Sequence, residues 1–138
     1  MKAKEYLQQL KRLDELINQK NKEIDDLRHR ATSVSGIDYS KDKVQTSPSG
    51  DAPYANIVAR IIDLNAEVNA EIDRFIDEKH EIINQIQQLQ NVEEMTVLHK
   101  RYIEYLSFER IAVDMNYTIR NIYFIHGRAL QNFEKMFL

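Results

Sequence analysis

The chain has 138 residues, 43% hydrophobic and 30% charged, with three Gly, two Pro and no Cys. Such a length suits one compact domain or two small helical units, and so few Gly and Pro favour long helices over a loop-rich β fold. The absence of Cys excludes disulfides, thiolate nucleophiles and zinc-thiolate sites.

No apolar run approaches the roughly 18 residues a membrane span needs, and the start of the chain leads into no signal-peptide core, so a soluble, cytoplasmic protein without membrane association is expected. A net charge of -3 argues against nucleic acid, but the charge is unevenly distributed. Residues 56–95 carry three Lys/Arg against nine Asp/Glu, whereas 96–138 carry six against four. The C-terminal stretch is therefore mildly basic.

In chain order, Tyr6, Leu10, Leu13, Ile17, Lys20, Ile24, Leu27 and Ala31 alternate steps of four and three. This is a heptad seam, predicting a long first helix with one side against a partner. Lys20 interrupts the seam, either setting register or laying its stem along it with the ammonium in water. Residues 32–54 hold two of the three Gly and both Pro, predicting a long flexible connection with Asp51 as N-cap and Pro53 in the first turn of the next helix. A second helix, about 52–90, carries Ile57, Ile61, Leu64, Val68, Ile72, Phe75, Ile76, Ile82, Ile83, Ile86 and Leu89 in a broad stripe. The simplest arrangement of these two is an antiparallel coiled-coil hairpin over 1–91.

Residues 92–138 are punctuated more sharply. A helix over 92–105 would turn Met95, Leu98, Tyr102 and Ile103 or Leu106 inward. Ser107 caps a short helix, 108–115; Asn116 tolerates the left-handed turn; Thr118 caps a last helix, 119–137. A short helix, a tight turn and a longer capped helix is the helix-turn-helix layout. The predicted fold is therefore all-α, a long antiparallel helical hairpin followed by a three-helix unit.

The run Glu109-Arg110-Ile111-Ala112-Val113-Asp114-Met115-Asn116-Tyr117-Thr118-Ile119-Arg120-Asn121-Ile122-Tyr123, continuing to Gly127-Arg128-Ala129-Leu130, resembles region four of bacterial sigma factors, as does the upstream Leu98-His99-Lys100-Arg101-Tyr102. That resemblance covers about 45 residues. It departs from the pattern at Asn116 (usually Gly), Tyr117 (Ile or Val), Asn121 (Thr) and the aromatic pair Tyr123-Phe124, where a basic residue is usual. Over its full length, including 42–47, the chain resembles a phage and prophage family of small proteins, and more loosely late-gene transcription regulators of the ArpU and RinA kind. The resemblance implies promoter-proximal recognition of double-stranded DNA and contact with host RNA polymerase, in a bacterial cytoplasm.

On the last helix Ile122, Ile125, Ala129, Leu130 and Phe133 should be buried, leaving Ile119, Arg120, Asn121, Tyr123, Phe124 and Gly127 outward, toward a major groove. Arg pairs bidentately with guanine and Asn with adenine, so Arg120 and Asn121 are the candidate base readers, with Tyr123 and Phe124 beside them. Lys100, Arg101, Arg110 and Arg128 are the candidate phosphate contacts. Some four such contacts give a salt slope near about -4, so help from polymerase or from self-association through the hairpin is expected.

His29, His80, His99 and His126 form no metal pattern, and no phosphate-binding Gly loop or nucleophile elbow is present, so neither a metal, a cofactor nor an enzyme is expected. Two other functions fit the same features. One is a structural or adaptor protein docking a partner on Tyr123 and Phe124; the other is a DNA-packaging subunit of the small-terminase kind, whose coiled coils build a ring.

Overall fold

The computed structural model describes residues 2–41 and 48–138, with side chains for 2–32 and 55–138. Five helices and no strand occur among them: α1 (Ala3–Lys41), α2 (Pro48–Gln87), α3 (Val92–Leu98), α4 (Phe108–Met115) and α5 (Ile119–Phe137). None of these is long and apolar enough to cross a membrane. The connection expected over 32–54 is shorter than its composition suggested. Because α2 begins at Pro48, where the missing N–H and fixed φ of proline suit a first helical position, Asp51 and Pro53 lie inside α2. Residues 42–47, including Val44, Gln45, Thr46 and Ser47, lie outside the described residues.

Contacts divide the chain into two compact units, one of Met1–Glu15 with Ile76–Leu138 and one of Leu16–Phe75. The boundary drawn at 91 follows punctuation along the chain, whereas the packing joins the first turns of α1 and the last turns of α2 to the C-terminal helices.

In the unit Leu16–Phe75, Ile24 and Leu27 of α1 pack with Val68 and Ile72 of α2, flanked by Ile17, Ile61 and Leu64. Lys20 keeps its stem on this seam and turns its ammonium to Glu71 at 2.9 Å and Glu23 at 3.2 Å, which raises its pKa. The stripe on α2 is narrower than its composition: Ile57 is exposed, and so is Ile76 just beyond the unit. Phe75 and Ile76 are successive, about 100° apart on the helix, and here only Phe75 turns inward.

In the unit of Met1–Glu15 and Ile76–Leu138, α1 and α2 run antiparallel. The Tyr6 hydroxyl donates to Gln85 Oε1 at 2.6 Å, and further along α1 Asp14 meets Lys79 at 2.5 Å, further back on α2. Ala3, Leu7, Leu10 and Leu13 are buried from α1, Ile82 and Ile86 from the end of α2, and Leu89 just after it. Tyr6 also meets Phe133 of α5, ring centroids 5.8 Å apart. Each such apolar side chain contributes about 1.5–3 kcal/mol when fully buried, so this unit does not depend on any single contact.

One expected helix is two pieces. Instead of running from 92 to 105, α3 ends at Leu98 and passes into a π-helical turn, His99–Ile103, closed by Glu104 N donating to His99 O at 3.1 Å. Tyr105 then takes the left-handed conformation at φ 60°, and Leu106 N bonds back to Lys100 O at 3.0 Å. A wider turn advances the chain by an extra residue relative to the α-helical phase. Val97 and Leu98 of α3 and Tyr102 of the turn are buried, while Met95, Ile103 and Leu106 are half-buried.

Candidate nucleic-acid interface

The geometry of α4 and α5 follows from local sequence. Ser107 Oγ accepts from Arg110 N at 3.1 Å and opens α4; Asn116 closes it at φ 56°, ψ 40°, with Tyr117 N bonding back to Ala112 O at 3.0 Å. Thr118 Oγ1 accepts from Asn121 N at 3.1 Å and opens α5. Each cap satisfies a backbone donor that the first helical turn would otherwise leave free. Between the helices lies a small core of Val97, Ile111, Ala112, Ile122 and Ile125, with Leu106, Phe108, Met115 and Tyr117 packed against it. The small side chain of Ala112 sits in this core with Ile122.

With Ile122, Ile125, Ala129 and Phe133 turned inward, the opposite side of α5 is outward. Arg120 is exposed and makes no ion pair among the described residues; Asn121, half-exposed, uses its backbone N–H on the cap. Tyr123 is 50% exposed and rests against Phe108, centroids 4.8 Å apart. Phe124 is 65% exposed, with the Arg128 guanidinium 5.5 Å from its ring centre. All four residues assigned to base contacts thus lie within the first two turns of α5.

The four assigned to phosphates are engaged within the fold. Arg110 and Lys100 share Asp114, at 3.2 and 3.9 Å. Arg128 lies 3.4 Å from Glu94, and Arg101 donates to Leu106 O at 3.0 Å while stacking on Phe108 at 4.2 Å. Asp114 and Glu94 therefore offset much of the positive charge that the sequence places near α5. Exposed pairs such as Arg110–Asp114 are weak, about 0–1 kcal/mol, and can exchange partners.

Two groupings carry no motif. Glu94 is the third residue of α3, in an Asn91-x-x-Glu94 cap whose Asn91 side chain accepts from Glu94 N at 3.1 Å. Its carboxylate is turned inward, 2% exposed, where Asn132 donates to it at 2.5 Å and Arg128 approaches. The cap signature was legible; the inward turn depends on α5.

The second grouping surrounds His126, which lies 2.9 Å from the Tyr102 hydroxyl, stacks near the Tyr102 ring at 5.7 Å and meets Phe108 edge-on at 4.9 Å. Burial, followed by the positive charges of Arg101 and Lys4, pushes its pKa down to about 4, so it is neutral at pH 7. Burial likewise raises the Tyr102 hydroxyl. At sequence level His126 is one of four scattered histidines, and only the π-helical turn brings Arg101 and Tyr102 to it.

No curated protein and no solved structure matches the chain. Residues 33–134 match the family described as protein of unknown function DUF1492, a stretch that includes α4 and most of α5. The chain belongs to that family.

Proposed function

We propose that the protein is a DNA-binding transcription regulator of the phage and prophage kind, in which α4, the turn at Asn116 and α5 act as a sigma-like helix-turn-helix. In this reading α5 enters the major groove N-terminus first, and Arg120 and Asn121 meet base edges. The observation that carries it is the exposure of Arg120 and Asn121 in the first turn of a capped α5 that follows α4 across a left-handed turn. Because Asp114 and Glu94 neutralise neighbouring cations, the counterion-release slope should be about -2 to -4, and isolated affinity modest. A coiled-coil hairpin of α1 and α2 would then supply self-association or contact with RNA polymerase, raising the effective concentration at the site.

The test is selection of bound fragments from random duplex DNA, followed by anisotropy titrations at several salt concentrations. An enriched sequence bound by the wild type, with that preference lost on Arg120→Ala plus Asn121→Ala, is expected. No enrichment, or a preference that survives the double substitution, overturns the reading.

The exposure of Tyr123 and Phe124 favours a second reading, an adaptor docking a protein on this aromatic face. It requires that Tyr123→Ala plus Phe124→Ala abolish co-purification of a defined partner while Arg120→Ala plus Asn121→Ala does not.

A further inference from the structure

We propose that the cavity between the first turns of α1, the π-helical turn and α5 binds a nucleotide carrying a terminal phosphate, of nucleoside monophosphate size. The cavity lies apart from the outward face of α5 but shares Arg101 with the phosphate contacts proposed there; it stands whether or not that face binds DNA.

The cavity measures about 360 Å³ and belongs wholly to the unit of Met1–Glu15 and Ile76–Leu138. Every charged residue lining it is a cation: Lys4 and Lys11 from α1 and Arg101 from the π-helical turn. Lys4 and Lys11 make no ion pair among the described residues. Asp14, which accepts from the Tyr105 hydroxyl at the cavity wall, is already paired with Lys79. Arg101 spends one N–H on Leu106 O and has its guanidinium carbon 4.2 Å from the Phe108 ring centre, contacts that restrain its remaining donors. Positioned cations of this kind form charge-assisted hydrogen bonds to phosphate.

The rest of the wall selects among anions. Leu7, Gln8 and four aromatic rings make up the rest; Tyr102 and His126 stack on each other and Phe108 already carries Arg101, so the exposed ring of Tyr105 is the surface left for a planar base. The neutral His126 and the Tyr102 hydroxyl are hydrogen-bonded to each other at 2.9 Å, which makes this part of the wall polar; the oxygen of Tyr102 keeps further hydrogen-bonding capacity for the edge of a base. Ligand pockets typically span about 300–1,000 Å³, and this one falls at the small end, fitting one base, sugar and phosphate. Three cations match a monophosphate of roughly two negative charges.

The groups facing His126 are Lys4 from α1, Arg101 and Tyr102 from the π-helical turn, and Phe108 from α4. Burial is the largest cause of its low pKa; the two lesser causes are the cations that would hold the phosphate, and a bound anion offsets those two. His126 is consequently a reporter of occupancy.

The experiment uses the full chain labelled at histidine, following the His126 ring signals through a pH titration by NMR. It is run alone, with AMP, GMP, CMP or UMP, with the uncharged nucleosides, with inorganic phosphate, and with a 5′-phosphorylated oligonucleotide. At least one monophosphate should raise the His126 pKa by about one unit and bind about tenfold more tightly than its nucleoside or inorganic phosphate. A response to the oligonucleotide alone would overturn the mononucleotide site and assign the phosphate contact to a nucleic-acid end. Lys4→Gln plus Lys11→Gln, both on the exposed side of α1, should weaken binding about tenfold at unchanged thermal stability. No movement of His126 with any phosphorylated probe at millimolar concentration, equal movement with inorganic phosphate, or unchanged affinity in the double variant overturns the proposal.

Discussion

Glu94 of α3 and Arg128 of α5 face each other at 3.4 Å across the helix packing, the Glu94 side chain almost wholly buried and the Arg128 side chain 44% exposed. Removing the arginine leaves a buried charge held by Asn132 alone. Arg128→Ala should therefore cost about 1–2 kcal/mol, less than a fully buried pair because water reaches the guanidinium. In a Glu94→Gln background the same change should cost less, a coupling of about 1 kcal/mol in urea unfolding. Equal costs in both backgrounds would mean that the two residues do not interact. Any loss of DNA binding on Arg128→Ala must be corrected for this loss of stability.

His126 links stability to pH. Its folded-state pKa, about 4, lies below the ordinary 6.5, so between those values the unfolded chain binds the extra proton. Its contribution is fully present above pH 6.5, declines as pH falls through 4, and changes no further below. With allowance for its partial exposure the loss is on the order of 1 kcal/mol, a fall of about 2–4 °C in melting temperature. His126→Gln should remove this component of the melting profile between pH 7 and 5; an identical profile in the variant would refute the assignment.

Gly127 lies within α5, and a Cβ built on it meets nothing within 4 Å. Gly127→Ala should stabilise the fold by about 0.5–1 kcal/mol, because alanine restricts the unfolded chain and favours helix. Thermal denaturation decides this, a lowered melting temperature being the contrary result. If α5 lies in a groove, the same substitution reports through DNA affinity how closely its backbone approaches.

Asn116 holds the left-handed turn between α4 and α5 at φ 56°. Asn116→Gly should be neutral or slightly stabilising, because it removes the Cβ that crowds the carbonyl, while Asn116→Ala should cost about 1 kcal/mol, because alanine keeps that Cβ and loses the polar side chain that helps Asn adopt this conformation. Chemical unfolding of the pair measures the difference. Equal stabilities would show that the turn relaxes to another conformation.

The C-terminal helices were legible because their signals are local. Ser107, Asn116 and Thr118 act on backbone groups within a few residues, and the spacing of Ile122, Ile125, Ala129 and Phe133 states which side of α5 is buried. The α1 seam at Leu10, Leu13, Ile24 and Leu27 was legible for the same reason. Periodicity could not tell how wide a face the partner covers, so Ile57 and Ile76 were assigned inward and lie exposed.

What the sequence by itself determined is therefore the helical class, the caps and turn around α4 and the outward face of α5, all set by interactions within one or two turns. Only the tertiary structure decided the fate of the charges and the cavity. A heptad or a cap cannot register that the chain after α3 widens into a π-helical turn, that Asp114 and Glu94 engage cations assigned to phosphates, or that Lys4 and Lys11 share a wall with Arg101 and His126. Those outcomes depend on which distant helix supplies the neighbouring charge, and that is set by packing between segments far apart in the chain.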